Sequence, residues 1–236
     1  MDKGRRIFAC LLLMLLLAGA VLFAFRQGLI PARYSPLPLL SLDRPSELFL
    51  EWQLAELRHE PALCRRVLTA PHIDAVPVPD NPLRDGCGWV NSVRLAAAGG
   101  ARISVDKLTC EGAAAFALWM VHDVQPLALS LLGERVASVR HMGTYACRNI
   151  IGSPFWKHLR SEHATANAID IAGFTLADGR QINVLNHWTG TSPYSAFLRA
   201  AHRRACRYFR VALGPDFNNL HKNHFHFDRG TFSACQ

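Results

Sequence analysis

The chain has no CxxC pair, no block of Lys and Arg interleaved with aromatics, and no internal repeat. Without CxxC there is no case for a zinc knuckle or a thioredoxin-like redox site. Without a clustered basic patch bearing aromatic side chains, nucleic acid is not an expected partner. Charge is modest, at 19% of residues against 50% hydrophobic, so the composition is not that of a disordered chain. No small-residue lipoprotein box precedes Cys10.

What is present begins with an address. Met1 to Arg6 is a short basic head, followed by an unbroken apolar run from Ile7 to Phe25. Nineteen helical residues span roughly 28 Å, the thickness of a hydrocarbon core. A cleaved signal has a shorter apolar region and a small-residue exit after it, whereas Ala18-Gly19-Ala20 lies inside this run. We expect an uncleaved single-pass anchor in the inner membrane over residues 1–29, its head cytoplasmic and the remainder in the periplasm.

The formal net charge is +8, of which +3 belongs to the first 26 residues, leaving +5 downstream. That mild basic balance suits an anionic polymer such as a bacterial cell wall. Outside the apolar run lie six cysteines: Cys64, Cys87, Cys110, Cys147, Cys206 and Cys235. An even number, widely spread in an exported chain, points to three disulfides. Fifteen pairings are open, and sequential pairing (64–87, 110–147, 206–235) gives the most compact loops.

Residues 30–45 are Pro-rich and read as a linker, leaving 46–236 as the folded domain. Helical spacing over 46–69, broken at Pro61, predicts two short helices. An edge strand is expected from Pro71 to Val78, then a loop over 82–88. Gly99-Gly100 separates two strand-like runs, a hairpin signal. Thr109 fits an N-cap for a helix from Cys110 to Leu132 that kinks at Pro126 and ends at Gly133. Further strands are expected over 135–145, 168–174, 181–188 and 220–228, with a helix over 195–210. The order describes an α+β fold with a small, mostly antiparallel sheet and flanking helices, stapled by disulfides and preceded by a transmembrane helix.

Two stretches carry the chemistry, Ser161 to Asp170 and His224-Phe225-His226. His, Asp and His are ligands that hold zinc while leaving one position open. On one helix His163 and Asp170 would stand about 10 Å apart, so residues 164–167 must turn and deliver Asp170 from the following strand. In a strand, His224 and His226 share a face while Phe225 and Phe227 point into the core. His187 is a candidate second acid/base group, while His221 reads as structural. Asp228 reads as a pairing or capping residue at the strand's end.

Ser161-x-His163-x-x-Ala166-x-Ala168-x-Asp170 resembles the SxHxxGxAxD signature of the zinc peptidases that group lysostaphin, D-Ala-D-Ala peptidases and the hedgehog N-terminal domain. The wider set of Tyr145 to Arg148, Ser161 to Ile171 and His224 to Asp228 resembles the bacterial extensin-like C-terminal domain, over about residues 60 to 236. The resemblance implies His163, Asp170 and His226 as Zn2+ ligands. It implies His224 as the residue that deprotonates the attacking water and stabilises the oxyanion, and Arg148 and Ser161 as holders of a substrate carboxylate. Ala166 departs from the signature's Gly without removing a ligand. Asn223 stands where the dipeptidase branch has its catalytic Glu, so the base cannot be that Glu. The expected activity is that of a zinc metallopeptidase acting as endopeptidase or carboxypeptidase on peptidoglycan peptides. The alternative is a zinc-stabilised, non-catalytic wall-binding or structural module.

Overall fold

The computed structural model describes residues 3–26, 29–30, 38–152 and 154–236. Helix α1 (Lys3–Arg26) carries the apolar run and is long and apolar enough to cross a membrane. Part of the linker, residues 31–37, lies outside the described residues. Its distal end is not a free spacer. Leu40 and Leu42 are buried in the core, Gln53 Nε2 donates to the Pro38 carbonyl at 2.6 Å, and the His122 ring bonds the Leu42 carbonyl at 2.8 Å.

Helices α2 (Leu50–Glu56) and α3 (Pro61–Val67) form the expected pair, with Pro61 tolerated at the start of α3 because its missing N–H lies in the first turn. Strand β1 (Ile73–Pro77) pairs with β4 (Ser92–Ala98), which forms a hairpin with β5 (Ala101–Thr109). Gly99 and Gly100, at φ 58° and 77°, supply the left-handed pair that a tight hairpin turn requires. The expected loop over 82–88 is instead a second hairpin, β2 (Asn81–Arg84) with β3 (Cys87–Trp89). Its turn, Asp85-Gly86, also takes two left-handed residues, at φ 50° and 76°.

Thr109 accepts from the Gly112 N–H at 3.2 Å and starts α4 (Cys110–Trp119). The helix reaches α5 (Gln125–Leu132) through a π turn, Met120–Val124, and ends at left-handed Gly133. The wider turn lies immediately before Pro126, whose ring has no N–H to give. The continuous helix is the buried core of the domain. Trp119 is fully enclosed, donates to the Ala201 carbonyl at 2.9 Å and meets Phe227 edge-on at 5.2 Å.

Strand β6 (Val136–Gly143) pairs with β7 (Ala168–Leu176), which also pairs with β8 (Gln181–Asn183) across the Asp178-Gly179 turn. The strand expected over 181–188 stops after three residues, and Asn183 caps a single helical turn, α6 (Val184–His187). Helix α7 (Pro193–Ala205) is capped by Ser192 and buries Phe197, Leu198 and Ala201. β9 (Val211–Leu213), β10 (Phe225–Asp228) and β11 (Ala234–Cys235) close the sheet. Residues 220–223, expected to begin the last strand, form turns and a bend instead. The sheet order is β1-β4-β5-β6-β7-β10-β9-β11, with β8 beside β7. Among the described strands only β5–β6 and β9–β11 are parallel. The fold is α+β and mostly antiparallel.

Three disulfides staple it, but two of the sequential pairings are wrong. The bonds are Cys64–Cys110, Cys87–Cys147 and Cys206–Cys235. Sheet and helix packing, not closeness along the chain, sets the partners. Cys64 in α3 lies against the start of α4, and β3 lies against the segment that follows β6.

Candidate metal centre

Asp170 in β7 and His226 in β10 are directly opposed residues of one antiparallel ladder. Opposed residues share a face with Cβ atoms about 5 Å apart, so pairing alone brings these side chains together. Phe225 and Phe227 alternate to the buried face, which leaves His226 on the other.

His163 arrives from a 3-10 turn (Glu162–Thr165) just before β7. Ala166 ends that turn at φ 55°, in the left-handed region, and reverses the chain into β7. Ala164, Ala166 and Ala168 are buried and small enough for the turn to sit against the sheet. The expected turn-then-strand delivery is what the structure shows.

The facing atoms are His163 Nε2, Asp170 Oδ1 and His226 Nδ1, separated by 3.2 Å, 3.2 Å and 2.9 Å. Donors about 2 Å from one tetrahedral ion lie roughly 3.3 Å apart, so the set fits a metal ion without rearrangement. These three residues are a group able to hold a metal. The far side of each imidazole is fixed as metal-binding histidines require. His163 Nδ1 faces the Thr144 carbonyl at 3.3 Å, and His226 Nε2 faces Asp228 Oδ2 at 3.0 Å. Asp228 is itself held, accepting the Gly230 N–H at 2.8 Å.

Electrostatics follow from the same contacts. Burial favours neutral Asp170, but hydrogen bonds and charge from His163 and His226 prevail and hold it far below the usual carboxylate range. Burial opposes a charge on His226, yet bonds to Asp170 and Asp228 raise it to about 9.

His224 stands just before β10, with Nε2 3.7 Å from Asp170 Oδ1 and Nδ1 2.8 Å from Asn223 Oδ1. An Nδ1–H donated to Asn223 leaves the Nε2 lone pair facing the centre. Burial, against the pull of Asp170, lowers its pKa. His221 also belongs here. Its ring lies 5.2 Å from that of His224 and 5.9 Å from that of His226, and Asn218 Oδ1 fixes its Nδ1 at 2.8 Å. Burial and the charges of His226 and His224 push it down to about 4. The spacing His221-x-x-His224-x-His226 was the available signal for it.

Ser161 is buried, and its hydroxyl accepts from the His163 N–H at 3.4 Å, capping the turn. Arg148 is half-buried, donates to the Asn149 carbonyl at 3.3 Å, and is close enough for its charge to depress His221 and His224. His187 lies at the end of α6, where Nδ1 accepts the Asn183 N–H at 3.0 Å and the ring packs on Tyr194. That is a local structural role.

Fold and site together define a class: a disulfide-stapled α+β domain with a His–Asp–His cluster where a tight turn meets two paired strands. Residues 62–236 match the family of extensin-like protein C-termini, and the chain belongs to that family. No curated protein and no solved structure matches it.

Proposed function

We propose that this protein is a zinc-dependent hydrolase of peptide bonds in peptidoglycan. In this reading α1 anchors it in the inner membrane and the domain works in the periplasm. The observation that carries the reading is the convergence of three donor atoms within 3.2 Å of one another, with both imidazoles braced from behind. His163, Asp170 and His226 would hold the ion. When bound, such an ion polarises a carbonyl and acidifies water.

The chain's own residues supply the proton transfers. His224 Nε2 is unprotonated at neutral pH and oriented through Asn223, so it can take a proton from the attacking water. As the water oxygen bonds to the carbonyl carbon and the C–N bond breaks, the same nitrogen returns the proton to the leaving amine. His221, neutral with its Nδ1–H given to Asn218 Oδ1, keeps only an acceptor at Nε2 and offers no hydrogen bond to an oxyanion. The Arg148 fork suits a peptide carboxylate.

The test is metal analysis of the purified full chain together with mass spectrometry of digested muropeptides. One zinc per chain and new peptide termini are expected. His224→Ala should keep the metal and lose turnover, whereas Asp228→Asn should keep the fold and bind zinc about 10–100-fold more weakly. A parent protein that holds zinc but cuts nothing would instead be the wall-binding module.

A further inference from the structure

On the far side of the Glu162–Thr165 turn from His163 lies an open cleft of about 280 Å³, walled by Trp89, Arg58, His59, Glu162, Asn167 and Thr231. None of the chemistry above uses it.

Its indole is rigidly set. Trp89 Nε1 donates to the Pro79 carbonyl at 3.0 Å, Lys107 Nζ lies 4.7 Å from the ring centre, and Tyr145 meets the ring edge-on at 5.0 Å. Among the residues that line the cleft no cation is uncommitted, and Lys107, whose ammonium lies over the Trp89 ring, is not one of them. Arg58 is spent on Glu111, at 2.7 Å and 3.2 Å, and on the Arg229 carbonyl at 2.7 Å. Burial, then the Arg58 charge, lower His59, leaving it neutral.

The polar floor is a set of planar acceptors and hydroxyls. Asn167 Nδ2 donates to Glu162 Oε2 at 2.8 Å, and Thr109 Oγ1 donates to Asn167 Oδ1 at 2.8 Å. The other Glu162 oxygen lies over Gly230, where a Cβ would collide with it. A fixed indole beside hydrogen-bonding groups, with no free cation in the lining, does not suit a phosphate. It suits a neutral polyhydroxyl ring with an apolar face.

The cleft and the metal centre share their frame. Tyr145 packs on Trp89, while the residues on either side of it hold His163: the Thr144 carbonyl faces Nδ1, and the Ala146 N–H donates to the His163 carbonyl at 3.1 Å. We propose that the cleft is a saccharide subsite that takes one sugar ring of a wall glycan against Trp89, while the attached peptide extends to the His163–Asp170–His226 cluster. The identity of the glycan rests on the wall reading above, but the binding does not require hydrolysis.

The experiment titrates the full chain, in detergent and treated with EDTA, with chitotetraose as the probe. The parent should bind it, Trp89→Ala about tenfold or more weakly, and Asp170→Asn as tightly as the parent. Thr231→Trp, at an exposed position on the rim, should block binding without touching the core. Absent binding by the parent, undiminished binding by both cleft variants, or displacement by a sugar-free stem peptide would overturn the proposal. Loss of hydrolysis with sugar binding intact would overturn only the hydrolase.

Discussion

Ala166 holds φ 55°, a conformation that costs an L-residue about 1–2 kcal/mol and glycine almost nothing. Ala166→Gly should therefore stabilise the fold by about 1 kcal/mol, less the glycine's extra unfolded freedom, and raise the thermal midpoint without altering metal affinity. A lowered midpoint would refute that account of the turn. His226 governs a second residue-scale outcome, in protein stripped of metal. Burial opposes its charge, but Asp170 and Asp228 keep it protonated to about pH 9, whereas the unfolded ring loses its proton near 6.5. Between those values the folded chain holds the extra proton, so stability falls as pH rises. Below 6.5 the sign reverses. Burial and neighbouring charges depress His221, to about 4, and His224, so these rings gain protons preferentially on unfolding and acid destabilises the fold. Thermal midpoints of EDTA-treated protein should peak near pH 6.5. His226→Gln should flatten the alkaline limb, and an unchanged limb would assign it to another group.

At the scale of elements, the site is a consequence of register. One residue of slip between β7 and β10 would send His226 to the face now filled by Phe225 and Phe227. That pairing was not legible in the sequence, whereas the strands and helices were in large part, because periodicity, the Gly99-Gly100 turn and the Thr109 cap are local signals. The His163-to-Asp170 spacing likewise forced a turn. What the sequence hid depends on contacts between distant segments. Asp228 read as a pairing or capping residue, but that its partner is His226 was hidden, and His221 looked structural until the 219–223 turns brought it beside His224. Two of the three disulfide pairings were hidden for the same reason, while Cys206–Cys235 was expected. Cys87–Cys147 ties β3 to the segment carrying Arg148, whose carbonyl accepts the Ser161 N–H at 3.1 Å. That bond closes a loop with a sequence separation of 60, worth about 4 kcal/mol in chain entropy. Replacing both cysteines by serine should lower urea stability by about that amount and speed proteolysis within 151–158, a segment exposed throughout its described residues. A loss under about 1 kcal/mol would mean that the surrounding hydrogen bonds hold this region alone.

For the molecule as a whole, one buried cation joins the helical layer to the strand that carries the site. Arg229 follows β10 directly, is almost fully enclosed, and donates to Glu111 in α4 at 2.8 Å, to Glu51 in α2 at 2.6 Å and to the Tyr208 carbonyl at 3.1 Å. Glu111 is fully buried as well and takes its second cation from Arg58. The Arg229 N–H donates to the Asn167 carbonyl at 3.3 Å, at the back of the turn that presents His163. Ion pairs on a surface contribute little, but removing one partner of a buried network strands the other without solvent. Arg58 compensates part of the Glu111 charge, so Arg229→Met should cost about 3 kcal/mol in urea unfolding, at the lower end for a broken buried pair. Adding Glu111→Gln to that variant should recover part of the loss, because the stranded charge is gone. If the double variant is as unstable as the sum of the two single changes, the groups act independently and packing alone joins the two layers.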